Sequence, residues 1–385
     1  MNASTQKPEK RILSFLQEGK AEMVSYLRRL VLAESPSSNP ESQAVILAIL
    51  RETLRELGFA IEILPGKHSG GQLLARPAGG YYSGKQMLIG HCDTVWPIGS
   101  IESMPFVFQD GAISGPGVFD MKGGLTQIVF ALKAIRSSGL EPSLEPIVFV
   151  NTDEEIGSIE SEPHIRRLAQ EVERVYVLEP ALGLSGKLKT ARKGVGQFSI
   201  TVKGKAAHAG LDPEKGISAI RELSYLIQKL YALSDPSGGV TVNVGIIEGG
   251  IRPNVIAPIS KAQVDVRVPT MKEARRMESA ILNLRPETPG AELEITGRIG
   301  RPPMEPTKEN QRLWKLARSL GEGIGLKLEQ GTAGGGSDGN TTSQYVATLD
   351  GLGPVGDGAH AEHEFIILDK MVERCALLAL LILAP

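Results

Sequence analysis

Glu154 and Glu155 follow the apolar run Pro146-Ile147-Val148-Phe149-Val150, with Asn151-Thr152-Asp153 between. The run has the make-up of a buried strand, so three carboxylates in a row fall at its mouth. Ionising them together is costly through mutual repulsion, and a bound cation relieves that cost. Side chains alternate along extended backbone, so the two glutamates can divide two roles, one on a metal and one on a proton. Two further strand-like runs end in ligand-type residues: Gln86-Met87-Leu88-Ile89-Gly90 at His91, and Arg174-Val175-Tyr176-Val177-Leu178 at Glu179. Asp120 follows Gly115-Pro116-Gly117-Val118-Phe119, and His360 ends the late loop Gly356-Asp357-Gly358-Ala359. Imidazole and carboxylate together suit zinc and similar divalent metals. Asp93, two residues after His91, falls on the same side of an extended chain. There its carboxylate can accept the second imidazole N–H and fix the ring.

These residues need a scaffold that brings strand ends together. Helical periodicity runs over 11–33 and 41–57, and short strands are expected near 59–64, 72–76 and 86–91. A helix over 123–136, a strand over 146–151 and another over 174–178 follow. Strands alternating with helices predict a mostly parallel α/β sheet flanked by helices, with ligands beyond the carboxyl ends of its strands. The middle third reads as strand 197–202, helix 216–232, strands 240–247 and 261–268, helix 271–284 and strand 291–296. That βαββαβ order is ferredoxin-like and predicts an inserted α+β domain. The expected division is 1–192 and 303–385 for the catalytic domain and 193–302 for the insertion. The chain then resumes with helix 308–323, a glycine-rich loop at 331–339, a strand over 344–349 and a C-terminal helix.

Composition excludes several classes. The chain has 385 residues, 41% hydrophobic, with a formal net charge of −2. No basic patch with interleaved aromatics is present, so no nucleic-acid partner is expected. Cys92 and Cys375, the only cysteines, cannot build a disulfide framework and fit a reducing, cytoplasmic compartment. The polar opening Met1-Asn2-Ala3-Ser4-Thr5-Gln6-Lys7 lacks the apolar core of a signal peptide. The apolar tail 376–384 is shorter than the ~20 residues a membrane span needs, so no membrane association is expected. Two motif-like stretches fail on context. Gly79-Gly80-Tyr81-Tyr82-Ser83-Gly84-Lys85 lacks the Ser/Thr and the helix of a phosphate loop. In Gly351-Leu352-Gly353-Pro354-Val355-Gly356, Pro354 spoils the helix start that a dinucleotide site requires.

The segments His91-Cys92-Asp93-Thr94-Val95, Gly117-Val118-Phe119-Asp120-Met121-Lys122-Gly123-Gly124 and Asn151-Thr152-Asp153-Glu154-Glu155-Ile156-Gly157-Ser158 resemble the signature blocks of one superfamily. It is that of the co-catalytic zinc peptidases, which includes glutamate carboxypeptidase, aminoacylase, acetylornithine deacetylase and succinyl-diaminopimelate desuccinylase. Leu178-Glu179-Pro180 with Lys187 downstream is most similar to the bacterial folate-cleaving glutamate carboxypeptidases. The resemblance implies two divalent ions, zinc with cobalt or manganese as alternatives. His91 and Glu179 would hold one, Glu155 and His360 the other, with Asp120 bridging and Asp93 orienting His91. His360 fits the family's spacing to a later glutamate, here Glu364, better than His363 does. Glu154 would be the general base, and the Asp120–Met121 bond would be cis. A hydroxide between the ions would then attack an amide.

The same resemblance implies that His208 reaches a partner protomer's site and stabilises the oxyanion, in a homodimer joined through the inserted domain. Asn254, Arg301 and the backbone around Gly335 would meet a substrate carboxylate, and Lys187 would read an acidic side chain. The expected reaction releases an amino acid, glutamate first, from a peptide or N-acyl substrate. Arg192-Lys193 replaces small polar residues of the folate-cleaving subgroup, which argues against pteroyl substrates. Two rivals stand beside this reading: an N-acyl amino-acid deacylase, and a catalytically inactive binding protein that keeps the fold.

Overall fold

The structure, a computed structural model, describes residues 7–385. The polar opening Met1 to Gln6 lies outside the described residues. The chain divides into two compact units. One comprises the residues up to Ala191 with Pro306–Ala333 and Ser337–Pro385, the other Arg192–Glu305 with Gly334–Gly336.

The first unit is built on a six-stranded sheet in the order Phe59–Leu64, Gln72–Pro77, Leu144–Asn151, Gly84–His91, Arg174–Val177, Ala347–Leu349. The last four strands are parallel, and Gln72–Pro77 is antiparallel to both of its neighbours, so the edge strand Phe59–Leu64 runs the same way as the four. Met87, Leu88, Ile89, Ile147 and Phe149 are wholly buried, as expected of parallel strands covered on both faces. Alternation sorts the side chains. Leu88, Val148 and Tyr176 join the core under helices Gly123–Ser137 and Leu368–Leu383. Met87, Ile89, Phe149 and Val177 face the other way, onto Ile165 and Leu168 of helix Glu162–Ala169. Truncating a side chain such as Leu88 to alanine would cost about 2–5 kcal/mol.

The apolar tail is the helix Leu368–Leu383, buried nearly throughout. Buried Arg174 donates to its last turn, at Leu381 O (3.4 Å) and at Ala384 O, meeting carbonyls that the helix leaves unpaired. Among the described residues no helix is long and apolar enough to cross a membrane.

Three expectations are corrected. The periodic stretch 11–33 is two helices, Pro8–Glu18 and Lys20–Leu32, parted at Gly19, whose low helix propensity ends the first. The stretch expected as a loop over 331–339 holds the end of strand Gln330–Ala333 and the start of a short helix, Asp338–Thr342, capped by Ser337. The strand expected over 344–349 is confined to Ala347–Leu349. A second, antiparallel sheet had no sequence signal: Gly356–Asp357, Phe365–Ile367, Ala112–Ser114 and Val107–Gln109, in that order.

The second unit follows βαββαβ order: Gly194–Lys203, Ala219–Ala232, Thr241–Gly249, Ile259–Val268, Met271–Leu282, Glu292–Arg301. Its four strands are antiparallel, with Gly194–Lys203 between Ile259–Val268 and Glu292–Arg301, and Thr241–Gly249 at one edge. Phe198, Ile200 and Val202 alternate inward to meet Leu223, Leu226 and Met277 of the two helices. Ser218 and Thr270 cap those helices, accepting from the amides of Arg221 and Glu273.

Candidate metal centre

All four parallel strands of the first unit run in one direction, so their carboxyl ends share one edge of the sheet. His91 is the last residue of its strand and pairs in register with Asn151. Asp153-Glu154-Glu155 leave the neighbouring strand directly afterwards, and Glu179 lies two residues beyond Val177. Asp120 comes from a different device. Gly117, at φ +74°, turns the chain into the segment Val118–Lys122, which contains the cis Asp120–Met121 bond. Gly124 then lets the following helix approach the sheet, since a Cβ there would stand 2.1 Å from Leu178 O. His360 sits at φ +61° in the connection between Gly356–Asp357 and Phe365–Ile367.

The ligand atoms converge into two groups that share one residue: His91, Asp120 and Glu179, and Asp120, Glu155 and His360. Asp120 Oδ1 lies 3.2 Å from His91 Nε2, and its Oδ2 lies 3.5 Å from His360 Nε2. Glu179 Oε1 is 3.3 Å from His91 Nε2, and Glu155 Oε2 is 3.1 Å from His360 Nε2. His91 Nδ1 is turned toward Asp93. The nearer acceptor is the Asp93 main-chain oxygen at 3.0 Å, with the carboxylate at 3.4 Å. Either contact favours a proton on Nδ1 and leaves Nε2 as the ligand atom.

The electrostatics call for positive charge. Burial opposes ionisation of Asp120, yet hydrogen bonds from His360 and His91 outweigh it and hold the carboxyl well below its usual range. Burial likewise opposes charge on His91, but Asp120, Asp93 and Glu179 raise its pKa well above the imidazole norm. His360 is pushed up to about 10, chiefly by Asp120 and then Glu155. Glu155 is raised, by burial first and with a contribution from the Asp120 charge. Its side chain is 6% exposed, and its Oε1 is buried with no hydrogen-bond partner among the described residues. A divalent ion would satisfy that oxygen and the clustered acids together. Each group offers one nitrogen and carboxylate oxygens from two residues, a donor set suited to zinc-like ions. With three candidate ligands per group, an ion held there would keep a position for water, as catalytic rather than structural sites do.

Glu154 belongs to neither group. It opens the short turn Glu154–Ile156 and is half-buried. Asp153, the third acid of the run, is structural, since its Oδ2 accepts the amides of Glu160 (2.8 Å) and Ser161 (3.2 Å).

The remaining candidates belong to neither ligand group. Lys187 is held by Glu329 at 2.7 Å, so the cation expected to read an acidic substrate already has an acidic partner. In the second unit, His208 and Asn254 are neighbours, with the Ala209 amide donating to Asn254 O at 3.0 Å. Both are exposed. Arg301 ends its strand opposite Val195. Gly335 O accepts from Arg192 Nη1 at 3.2 Å. Two residues with no chemical role foreseen support the centre. Ser37 Oγ donates to Asp93 Oδ2 at 2.7 Å. The Glu364 carboxylate gathers amides of the Asp120 segment; burial pushes its pKa up, against those hydrogen bonds. The spacing of Glu364 from His360 was its only sequence signal.

A mixed α/β sheet carrying such a cluster at its strand ends defines a candidate metal-binding site. The pattern of peptidase family M20/M25/M40 matches residues 87–384, and the chain belongs to that family. It is 27% identical over 381 residues to carboxypeptidase G2 of Pseudomonas sp., covering 94% of this chain and 88% of that one. It is 27% identical over 368 residues to a succinyl-diaminopimelate desuccinylase of Paracidovorax citrulli, covering 89% and 93%. Its fold is similar to that of aminopeptidase PepT from Bacillus cereus, with a TM-score of 0.79 at 20% identity, over 95% of this chain and 98% of that one. The chain is thus a hydrolase of the metallopeptidase type with a metal-binding site.

Proposed function

We propose that this chain hydrolyses an amide to release an amino acid with a free α-carboxylate, glutamate first, using two divalent ions, zinc in the native enzyme and cobalt or manganese as substitutes. The observation that carries the reading is Asp120, which offers one carboxylate oxygen to each ligand group. His91 and Glu179 complete one group, Glu155 and His360 the other. Bound there, the ions supply Lewis acidity and lower the pKa of a water. Glu154 removes that water's proton and returns it to the leaving amine. Its place one residue before Glu155 sets the base beside a ligand, and the turn holds both.

His208 serves as the oxyanion donor. Its Nδ1 accepts the amides of Gly210 and Leu211, each at 3.1 Å, which puts the proton of the neutral ring on Nε2. The donor acts across a homodimer formed through the second unit. Support for that assembly comes from the edge strand Thr241–Gly249, where Ile246 and Ile247 are more than half exposed, since exposed edge strands invite pairing. Asn254, Arg301 and the Gly335 loop bind the substrate carboxylate. The location is cytoplasmic, consistent with two buried free cysteines.

A second reading, N-acyl amino-acid deacylase, is favoured by one observation: Lys187 is paired with Glu329. The deciding experiment strips the protein of metal, restores Zn²⁺, Co²⁺ or Mn²⁺, and assays peptidyl- and acyl-glutamates against acetylated neutral and basic amino acids. Preference for glutamate release supports the first reading; preference for acetylated neutral or basic amino acids supports the second. Protein that takes up no metal and turns over nothing is a binding protein.

A further inference from the structure

Glu364 is 1% exposed, four residues beyond His360 and directly before the strand Phe365–Ile367. Its two oxygens are shared among four donors. Oε1 accepts the amides of Phe119 at 2.8 Å and Asp120 at 3.0 Å. Oε2 accepts the amide of Gly117 at 2.8 Å and the indole N–H of Trp96 at 2.9 Å. Three of the four donors are main-chain groups of the segment that presents Asp120. The acceptor belongs to the connection that presents His360. The adjoining strands repeat the link, since Phe365 pairs with Ser114.

A carboxylate buried to this degree is electrostatically costly. Capping loose amides does not explain it, because a neutral acceptor would do that with less penalty. The arrangement does one thing a neutral group cannot: a single anion accepts from all four N–H donors at once, two on each oxygen. It thereby fixes the Asp120 backbone relative to the His360 loop. The other ligands of the first group, His91 and Glu179, leave the main sheet and need no such tie.

We propose that Glu364 is a positioning residue that sets the separation between Asp120 and His360, and so the geometry of the ion site formed by Asp120, Glu155 and His360. It belongs to neither ligand group. This rests on the two-ion reading above. In Glu364→Gln one oxygen becomes an NH₂ that faces two N–H donors, so half the clamp fails in either orientation of the amide. Outer-shell groups of this kind shift metal affinity by roughly 10–100-fold.

The experiment titrates metal-free wild-type and Glu364→Gln protein with Zn²⁺ and with Co²⁺, following heat, bound metal and the cobalt absorption bands. Two sites in the wild type, with one weakened about 10–100-fold in the variant and the other kept, is the expected result. Turnover should then return at saturating metal. Two unchanged sites in the variant, or equal weakening of both, would overturn the proposal. Wild-type protein that takes up fewer than two ions would refute the two-ion reading itself. Should Glu364→Gln fail to fold, Trp96→Phe decides, because it removes only the indole donor. Weakening confined to one site supports the clamp, and an unchanged two-site titration refutes it.

Discussion

Asp93 accepts the main-chain amide of Glu154 at 3.2 Å through the same oxygen that stands 3.4 Å from His91 Nδ1. Its other oxygen takes the Glu155 amide at 3.1 Å and the Ser37 hydroxyl at 2.7 Å. The residue that turns His91 therefore also holds the turn carrying the proposed base and a proposed ligand. In Asp93→Asn, one oxygen is replaced by an NH₂ that faces the main-chain N–H of Glu154 or Glu155 and cannot accept from it. Turnover should fall about 10–100-fold or more, together with metal affinity. Ser37→Ala removes one hydrogen bond to a charged group, worth about 1.5–3 kcal/mol, and should produce a smaller loss in the same two quantities. Steady-state kinetics beside calorimetric metal titration checks both. Equal kinetics in Asp93→Asn and wild type would show that the carboxylate does not organise the turn.

Glu154→Gln separates the neighbours. Glu155 faces His360, whereas Glu154 stands outside both ligand groups. The variant should keep wild-type metal content and lose about 10²–10⁴-fold in turnover, the usual share of general acid–base catalysis. Glu155→Gln should instead lose metal, since a neutral amide is a poor ligand in the group with Asp120 and His360. Metal analysis and kinetics on the two variants side by side give the answer. Loss of metal from Glu154→Gln would reassign it as a ligand.

How much of this was legible follows from what carries signal along a chain. His91, Glu155 and Glu179 could be read because each closes, or shortly follows, a continuous apolar run, and buried parallel strands write such runs plainly. The meeting of Asp120 with His360 could not be derived that way. It depends on strands of two and three residues, Gly356–Asp357 and Phe365–Ile367, too short to show alternation. There the family resemblance supplied the pairing. Ser37 left no local trace, because its role is defined by Asp93, a long-range partner. Lys187 reads as a free cation until the fold brings Glu329 beside it. The break at Gly19 is hidden because the apolar period continues across it while the backbone does not.

The second unit gives a pH prediction of its own. Glu222 is buried in helix Ala219–Ala232, and its carboxylate accepts the amides of Glu287 (2.9 Å) and Thr288 (2.7 Å). Burial opposes its charge, but the Thr288 side chain and these amides outweigh it and lower the pKa. A carboxyl depressed on folding adds stability that is present above its unfolded value, about 4.3, and is lost as pH falls through the folded value. Glu222→Gln should therefore be less stable than wild type at neutral pH, with the gap closing in acid. Urea melts of both proteins from pH 7 to pH 3 test this. A gap that stays constant with pH would show that the charge of Glu222 contributes nothing.

His208 is the sharpest test of the assembly. Two amides point at its Nδ1, so the neutral ring can only donate through Nε2. A donor aimed at a developing oxyanion is worth roughly 10²–10³-fold in turnover with little effect on substrate binding. His208→Ala should lose about that much in kcat while KM moves little. The trans role adds a stricter requirement. Glu154→Gln and His208→Ala homodimers are each impaired, but a mixed dimer contains one site with Glu154 from one protomer and His208 from the other. Co-refolding the two variants should regain activity that neither shows alone. No regain in demonstrated mixed dimers would place His208 on its own protomer's chemistry or outside the reaction, and a fully active monomer would remove the need for the dimer altogether.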